Sequence, residues 1–76
     1  MFLRRLGKNL ECVHGSSCPQ VLEKRDGNFA VVGPLITEAA VAAMPPGPGV
    51  GPQEGVVEVP RDVMLSAMAD FFAAAA

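Results

Sequence analysis

The clearest pattern of apolar and polar positions lies in residues 20–33, where two short apolar runs flank a turn. The turn contains Asp26-Gly27, and glycine there supplies the positive φ that a tight hairpin requires. A two-residue turn pairs Leu22 with Val31, and it predicts a core face that carries Leu22, Phe29 and Val31. A three-residue turn, with Gly27 as a bulge, is the alternative and shifts every pair by one residue.

Two further segments near the C-terminus carry regular patterns. The β-branched run at residues 56–59 predicts a strand, and Pro60 after it suits the first position of a helix. Residues 61–72 then follow a helical period. The apolar stripe of this helix consists of Met64, Ala67, Met68, Phe71 and Phe72.

Between the hairpin and that strand, residues 37–44 predict a helix of about two turns. Thr37 is the expected N-cap, and the prolines that follow Met44 end the helix. Ala40, Val41 and Met44 are expected to hold it by packing, since so short a helix does not form alone in water. Residues 45–53 predict a Pro/Gly loop, because their composition excludes a helix or a central strand.

Residues 1–19 show no sustained period and predict an irregular N-terminal segment. Phe2, Leu3 and Leu6 fit one helical turn or a short strand, and Gly7 ends either. The resulting order of hairpin, short helix, strand and helix predicts a single small domain over residues 1–76. It belongs to the α+β class, with a three-stranded, mostly antiparallel sheet (the hairpin plus one strand), a short helix and a C-terminal helix across one face.

Composition narrows the function. The chain has 76 residues, 50% of them apolar and 18% charged, with a net charge of -2. It is too short for a TIM barrel or a Rossmann domain, and it lacks catalytic motifs, so we expect no enzyme. Three basic residues near the N-terminus, without interleaved aromatic residues, fall short of a nucleic-acid surface. No segment has the length of a membrane span or the pattern of a signal peptide, so a cytoplasmic protein is expected.

One cluster of metal-ligating residue types stands in the N-terminal segment, at Cys12, His14 and Cys18. The cluster lacks the second pair of ligands that a structural zinc site commonly uses. Reduced cysteines without a metal are the favoured interpretation, in keeping with a cytoplasmic protein. A local disulfide and a zinc site remain alternatives, and no other cofactor is expected.

Two resemblances bear on the class of protein. Residues 56–63 place Pro60 between a strand and a helix, and this resembles the strand–Pro–helix step of AbrB-like and ribbon-helix-helix DNA-binding dimers. Four segments spread over most of residues 1–65 are Cys12…Cys18-Pro19, residues 26–33, Ile36-Thr37 and residues 57–61. Together they resemble a group of small uncharacterised proteins of actinobacterial type, often encoded beside helix-turn-helix regulators. That resemblance implies a small regulatory or accessory protein, and it assigns no activity to any residue.

These observations predict a non-catalytic protein-interaction or regulatory accessory module that binds another protein or a second copy of itself. The expected surface combines the free edge of the sheet with the apolar stripe of the last helix. Phe71 and Phe72 lie ~100° apart on a helix, so we expect Phe71 inside and Phe72, with Met64 or Met68, at an interface. The alternatives are a metal-binding or redox-responsive module that uses Cys12, His14 and Cys18, and a dimeric DNA-binding regulator.

Overall fold

The computed structural model describes residues 1–7 and 18–75, and this part of the chain contains three strands and two helices. The elements are β1 (Phe2–Leu6), β2 (Gln20–Lys24), β3 (Phe29–Val32), α1 (Thr37–Ala43) and α2 (Arg61–Ala75). The strands form one antiparallel sheet in the order β1-β2-β3. The α+β class and the three-stranded antiparallel sheet that the sequence predicts are thereby confirmed.

The β2–β3 hairpin closes through a three-residue turn, which is the alternative register given above. The Gly27 N–H donates to the Lys24 carbonyl oxygen (3.1 Å), and the Lys24 N–H donates to the Asn28 carbonyl oxygen (2.9 Å). Gly27 has a φ of +93°, the left-handed conformation that this bulged turn requires and glycine adopts without strain. The Asn28 N–H also donates to the Asp26 carboxylate at 2.9 Å, which ties the turn together.

The shift by one residue reverses the faces of β2. Val21 pairs with Val31 and is buried, whereas Leu22, the expected core residue, pairs with Ala30 on the opposite face. Phe29 and Val31 lie on the same face as Val21 and border the core. The core residue of β2 is therefore Val21, and the prediction of Leu22 was wrong.

The third strand of the sheet is β1, and not residues 56–59. β1 lies inside the segment expected to be irregular, and it pairs with β2 in antiparallel register. Arg4 faces Glu23 across the two strands, and its Nε donates to the Glu23 carboxylate at 2.9 Å. The expected strand at 56–59 is reduced to one antiparallel bridge between Leu35 and Val57. Pairing with β2 thus decides the strand, and local β-propensity does not.

Helix α1 begins at Thr37, but Thr37 is not its N-cap. Ile36 occupies that position, and no side chain caps the helix. Thr37 Oγ1 instead accepts a hydrogen bond from the Val56 N–H at 3.0 Å. The helix has no buried residue and packs on none of the other described elements, and Val41, which was expected to hold it, is half exposed. The hydrogen bond between Thr37 and Val56 therefore holds α1 in place, where the sequence suggests that packing of its apolar side chains does so.

The core is small and lies between α2 and the β1–β2 half of the sheet. The buried side chains of the described residues are Leu6, Val21, Val63 and Ala67. The backbone of α2 lies against β1 and β2, and the helix reaches β3 through the contact of the Phe71 ring with Phe29. Gly7 permits this close approach, because a Cβ at that position would lie only 2.7 Å from the backbone nitrogen of Ala67.

Candidate interaction surface

An open apolar groove of about 390 Å³ runs between α2 and β3. Phe29 and Val31 line it from β3, and α2 contributes Met64, Met68, Phe71 and Phe72. Every described residue that lines the groove is apolar. We call this surface the α2–β3 groove.

The groove follows from the widths of a helix and of a sheet. An α-helix with its side chains is ~10 Å across and neighbouring strands lie ~4.8 Å apart, so one helix covers about two strands. Helix α2 covers β1 and β2, while α1 packs on no described element. The helix-facing side of β3 is left uncovered in consequence, and its Phe29 is 49% exposed.

The three residues that the sequence predicts at an interface come together on this surface. Met64, Met68 and Phe72 are spaced four residues apart on α2, so they share one side of the helix, and all three line the groove. Phe72 is 64% exposed and Met68 46% exposed. A water-exposed aromatic next to exposed methionines is the kind of patch that marks an interaction site.

Phe71 takes the inner position that was expected for it. It packs against the buried cluster, and its ring lies 5.3 Å from the Phe29 ring in an edge-to-face arrangement. The Phe72 ring stands 5.7 Å from Phe71 on the other side, also edge to face. Such pairs contribute ~0.5–1.5 kcal/mol beyond area burial, so these contacts hold Phe29 and Phe72 in place at the two walls of the groove.

Strand β3 adds an open backbone edge to the groove. The bond from the Lys24 N–H to the Asn28 carbonyl marks a hydrogen-bonded pair of the β2–β3 ladder, and such pairs alternate with non-bonded ones. The N–H and C=O groups of Phe29 and Val31 therefore point away from β2. Within residues 1–7 and 18–75, no hydrogen bond reaches these outward groups. The same two residues thus supply apolar side chains to the groove and unpaired backbone groups to the edge.

The two edges of the sheet differ in their protection against strand pairing. β1 carries Arg4 and Arg5, and its register is irregular near Phe2. Both features discourage the addition of a strand at this edge. β3 has the sequence Phe-Ala-Val-Val, without charge or proline, and its register is regular. Its short length of four residues is its main protection.

The sequence predicts a free sheet edge as part of the interaction surface, but it does not identify Phe29 and Val31 as the residues that link this edge to the groove. Phe29 and Val31 alternate with Ala30, and this pattern predicts that they share one face of the strand and belong to the core. Their exposure depends on which strands α2 covers, and no local signal reports that choice.

Charged groups near the sheet pair with one another outside the groove. Arg4 and Glu23 form one ion pair at 2.9 Å, and Lys24 and Asp26 form another at 3.1 Å. The hydrogen bond from the Asn28 N–H, followed by the one from Lys24, holds the pKa of Asp26 below its usual value. No described residue that lines the groove can titrate, so the chemistry available there is apolar burial and backbone hydrogen bonding.

The predicted metal cluster falls mostly outside the described residues, where Cys12 and His14 lie. Cys18 is described, and it is disulfide-bonded, which contradicts the favoured interpretation of reduced cysteines. A metal ligand must be a thiolate, so Cys18 does not serve zinc in this oxidised state. Within residues 1–7 and 18–75, no three His, Cys, Asp or Glu side chains converge as metal ligands do. The zinc site and the role of His14 stay predictions.

No protein-family model matches the chain, and neither does any curated protein or solved structure. The resemblance to accessory proteins of actinobacterial type therefore stays a prediction. Among the described helices, none has the length and apolar character needed to cross a membrane.

Proposed function

We propose that this chain is a non-catalytic protein-interaction module of the regulatory accessory type, and that it binds its partner through the α2–β3 groove and the adjoining edge of β3. The proposal depends on one observation: Phe29 and Val31 each have both an exposed apolar side chain and backbone groups that point away from the sheet. An extended partner segment satisfies both at once, because it adds a strand to β3 and directs alternate side chains into the groove.

The energetic centre of such a site is Phe72. It is the most exposed of the large apolar side chains of α2, and its position beside Phe71 and Met68 allows a partner to bury it. Truncation of a buried aromatic at the centre of an interface commonly costs more than ~2 kcal/mol of binding free energy. We therefore expect Phe72→Ala to weaken partner binding at least about tenfold while the domain stays folded.

The experiment is site-specific photocrosslinking in the source cell. A benzoylphenylalanine replaces Met68, which lines the groove, or Leu65, which is 53% exposed on α2 but does not line the groove. Leu65 is a matched control, since it lies on the same helix with similar exposure. We expect a specific protein adduct from position 68 and none from position 65, and the crosslinked peptide identifies the partner.

The identified partner is then purified and titrated against the chain. Binding that falls at least about tenfold with Phe72→Ala, and is unchanged with Leu65→Ala, supports the proposal. Equal adducts at positions 65 and 68, or no protein adduct from position 68, would overturn it. Circular dichroism of each variant confirms that the fold is retained.

The disulfide at Cys18 favours a second candidate, a redox-responsive module. Equilibration with glutathione buffers measures its reduction potential. A potential above about -270 mV places the bond in the range of exchangeable disulfides and supports a response to cellular redox state, while one below about -300 mV assigns a structural bond. The main proposal keeps the expected cytoplasmic location, and the persistence of this disulfide in cytoplasmic extract tests that location.

A further inference from the structure

We propose that Met64 and Met68 form an oxidation-sensitive modification site in the α2–β3 groove, and that their conversion to methionine sulfoxide by a peroxide releases the partner while the domain stays folded. This inference rests on the proposed function and adds a means of regulation to it.

Two of the four methionines of the chain line the α2–β3 groove. Met64 and Met68 lie about one turn apart on α2, and they are 36% and 46% exposed. Of the other two, Met1 is exposed and Met44 is partly buried, and neither lines the groove. A peroxide therefore reaches both groove methionines, and the other two are internal controls.

The reaction adds one oxygen atom to a thioether sulfur. The sulfur of Met68 donates a lone pair to one oxygen of hydrogen peroxide, and the O–O bond breaks. The departing hydroxide takes the proton from the newly attached oxygen and leaves as water. Sulfur thereby loses two electrons and the peroxide gains them. Methionine sulfoxide reductases reverse the step with two electrons from a dithiol, and they release water.

Oxidation makes the groove unsuitable for an apolar partner. The sulfoxide oxygen is a hydrogen-bond acceptor, and the described side chains that line the groove are all apolar, so none of them donates to it. In the proposed complex, the outward N–H groups of Phe29 and Val31 pair with the partner's backbone. A buried sulfoxide at Met68 would then lack a donor, so binding should weaken at least about tenfold.

The fold should tolerate the same change, because both methionines lie outside the core. The buried side chains of the described residues are Leu6, Val21, Val63 and Ala67, and none of them contains sulfur. A sulfoxide at the surface of α2 keeps its contact with water when no partner is bound. Its effect should therefore be that of a surface substitution, with a change in Tm of at most about 4 °C.

The test uses the full chain and the protein that crosslinks at position 68. Hydrogen peroxide oxidises the chain partly, and the mixture is passed over the immobilised partner protein. Peptide mass spectrometry then measures the sulfoxide at each methionine in the retained and unretained fractions. We expect the retained fraction to be depleted of sulfoxide at Met64 and Met68, and not at Met1 or Met44.

Variants give a second measurement, the ratio of the dissociation constants after and before complete oxidation. Each chain is compared with itself, so the basal affinity of a variant does not enter. The double variant Met64→Leu/Met68→Leu nearly conserves side-chain volume and cannot form a sulfoxide in the groove. Met44→Leu is the matched control outside the groove. Circular dichroism gives the Tm of each oxidised chain.

Depletion at positions 64 and 68 supports the inference, as does a ratio of at least about ten in the parent and in Met44→Leu that falls below about two in the double variant. Equal sulfoxide in both fractions overturns it, and the proposed function then stands because the partner still binds. Unfolding of the oxidised parent, or an equal ratio in all three chains, also overturns it. If no protein crosslinks at position 68, the proposed function and this inference fail together.

Discussion

Substitution of Gly7 by alanine tests the packing of α2 on the sheet most directly. Gly7 follows β1, with a φ of +74°, where an L-residue is strained. A Cβ added there would lie 2.7 Å from the Ala67 nitrogen and 2.8 Å from the Ser66 carbonyl carbon. Both are backbone atoms of α2, so they cannot rotate away. Relief of the overlap must separate α2 from β1, and this opens the core between Leu6 and Ala67.

Two contributions set the loss of folding free energy that Gly7→Ala should cause. The left-handed conformation costs a residue with a Cβ ~1–2 kcal/mol, and overpacking against a fixed backbone costs ~1–3 kcal/mol more. The sum of about 2–5 kcal/mol is a large part of the ~4–11 kcal/mol expected for a domain of this size. The Tm should fall by at least about 10 °C.

Gly27→Ala is the matched control. Gly27 also has a positive φ, of +93°, but a Cβ there meets nothing within 4 Å. It should lose only the conformational part, ~1–2 kcal/mol. Urea denaturation followed by circular dichroism gives the free energy of unfolding of both variants. Equal losses for Gly7→Ala and Gly27→Ala, or a Gly7 variant as stable as the parent, would show that α2 does not rest on Gly7.

Three further predictions concern the hairpin, the β1–β2 pair and the disulfide. The lowered pKa of Asp26 means that its carboxylate stabilises the fold above the unfolded value of 3.8 and loses this effect as the pH falls through the folded-state pKa. Asp26→Ala should therefore lower the Tm at pH 6, and the difference from the parent should shrink as the pH falls through the folded-state pKa; a difference that does not depend on pH would contradict this. A double-mutant cycle of Arg4→Ala and Glu23→Ala should give a coupling of ~0.2–1 kcal/mol that shrinks in 1 M salt, and zero coupling at low salt would contradict the ion pair. Reduction of the Cys18 disulfide should lower the free energy of unfolding by ~2 kcal/mol, and an unchanged Tm would mean that the bond does not constrain the fold.

The hairpin shows how far sequence reasoning reaches. Asp26-Gly27 predicts the turn, and the need for a positive φ at Gly27 is met in the structure. The same two residues fit both a two-residue and a three-residue turn, and the choice of register decides whether Leu22 or Val21 faces α2. Both side chains are apolar, so their hydrophobicity does not decide between them. The choice depends on the turn's own hydrogen bonds, including the one from Asn28 to Asp26.

The third strand could not be predicted from the local sequence, because contacts with a distant part of the chain stabilise it. Residues 56–59 have the stronger intrinsic β-propensity, whereas β1 contains Arg4 and Arg5. β1 forms a strand because its backbone pairs with β2 and because Arg4 forms an ion pair with Glu23. Leu6 is also buried in the core beside β2. The interface side chains were predictable for the opposite reason, since the four-residue spacing of Met64, Met68 and Phe72 fixes a common helix face within one element.

The uncovered face of β3 follows from how the chain distributes its length. Four prolines and three glycines in residues 45–53 prevent α1 from extending beyond its seven residues. A helix of that length spans ~10 Å, too little to cross the sheet, and it is tethered through Thr37 to Val56 instead of packing on β3. Of the described helices, α2 alone is left to cover three strands, and its width suffices for two. The composition that predicts a loop therefore also leaves Phe29 and Val31 exposed on the described part of the fold.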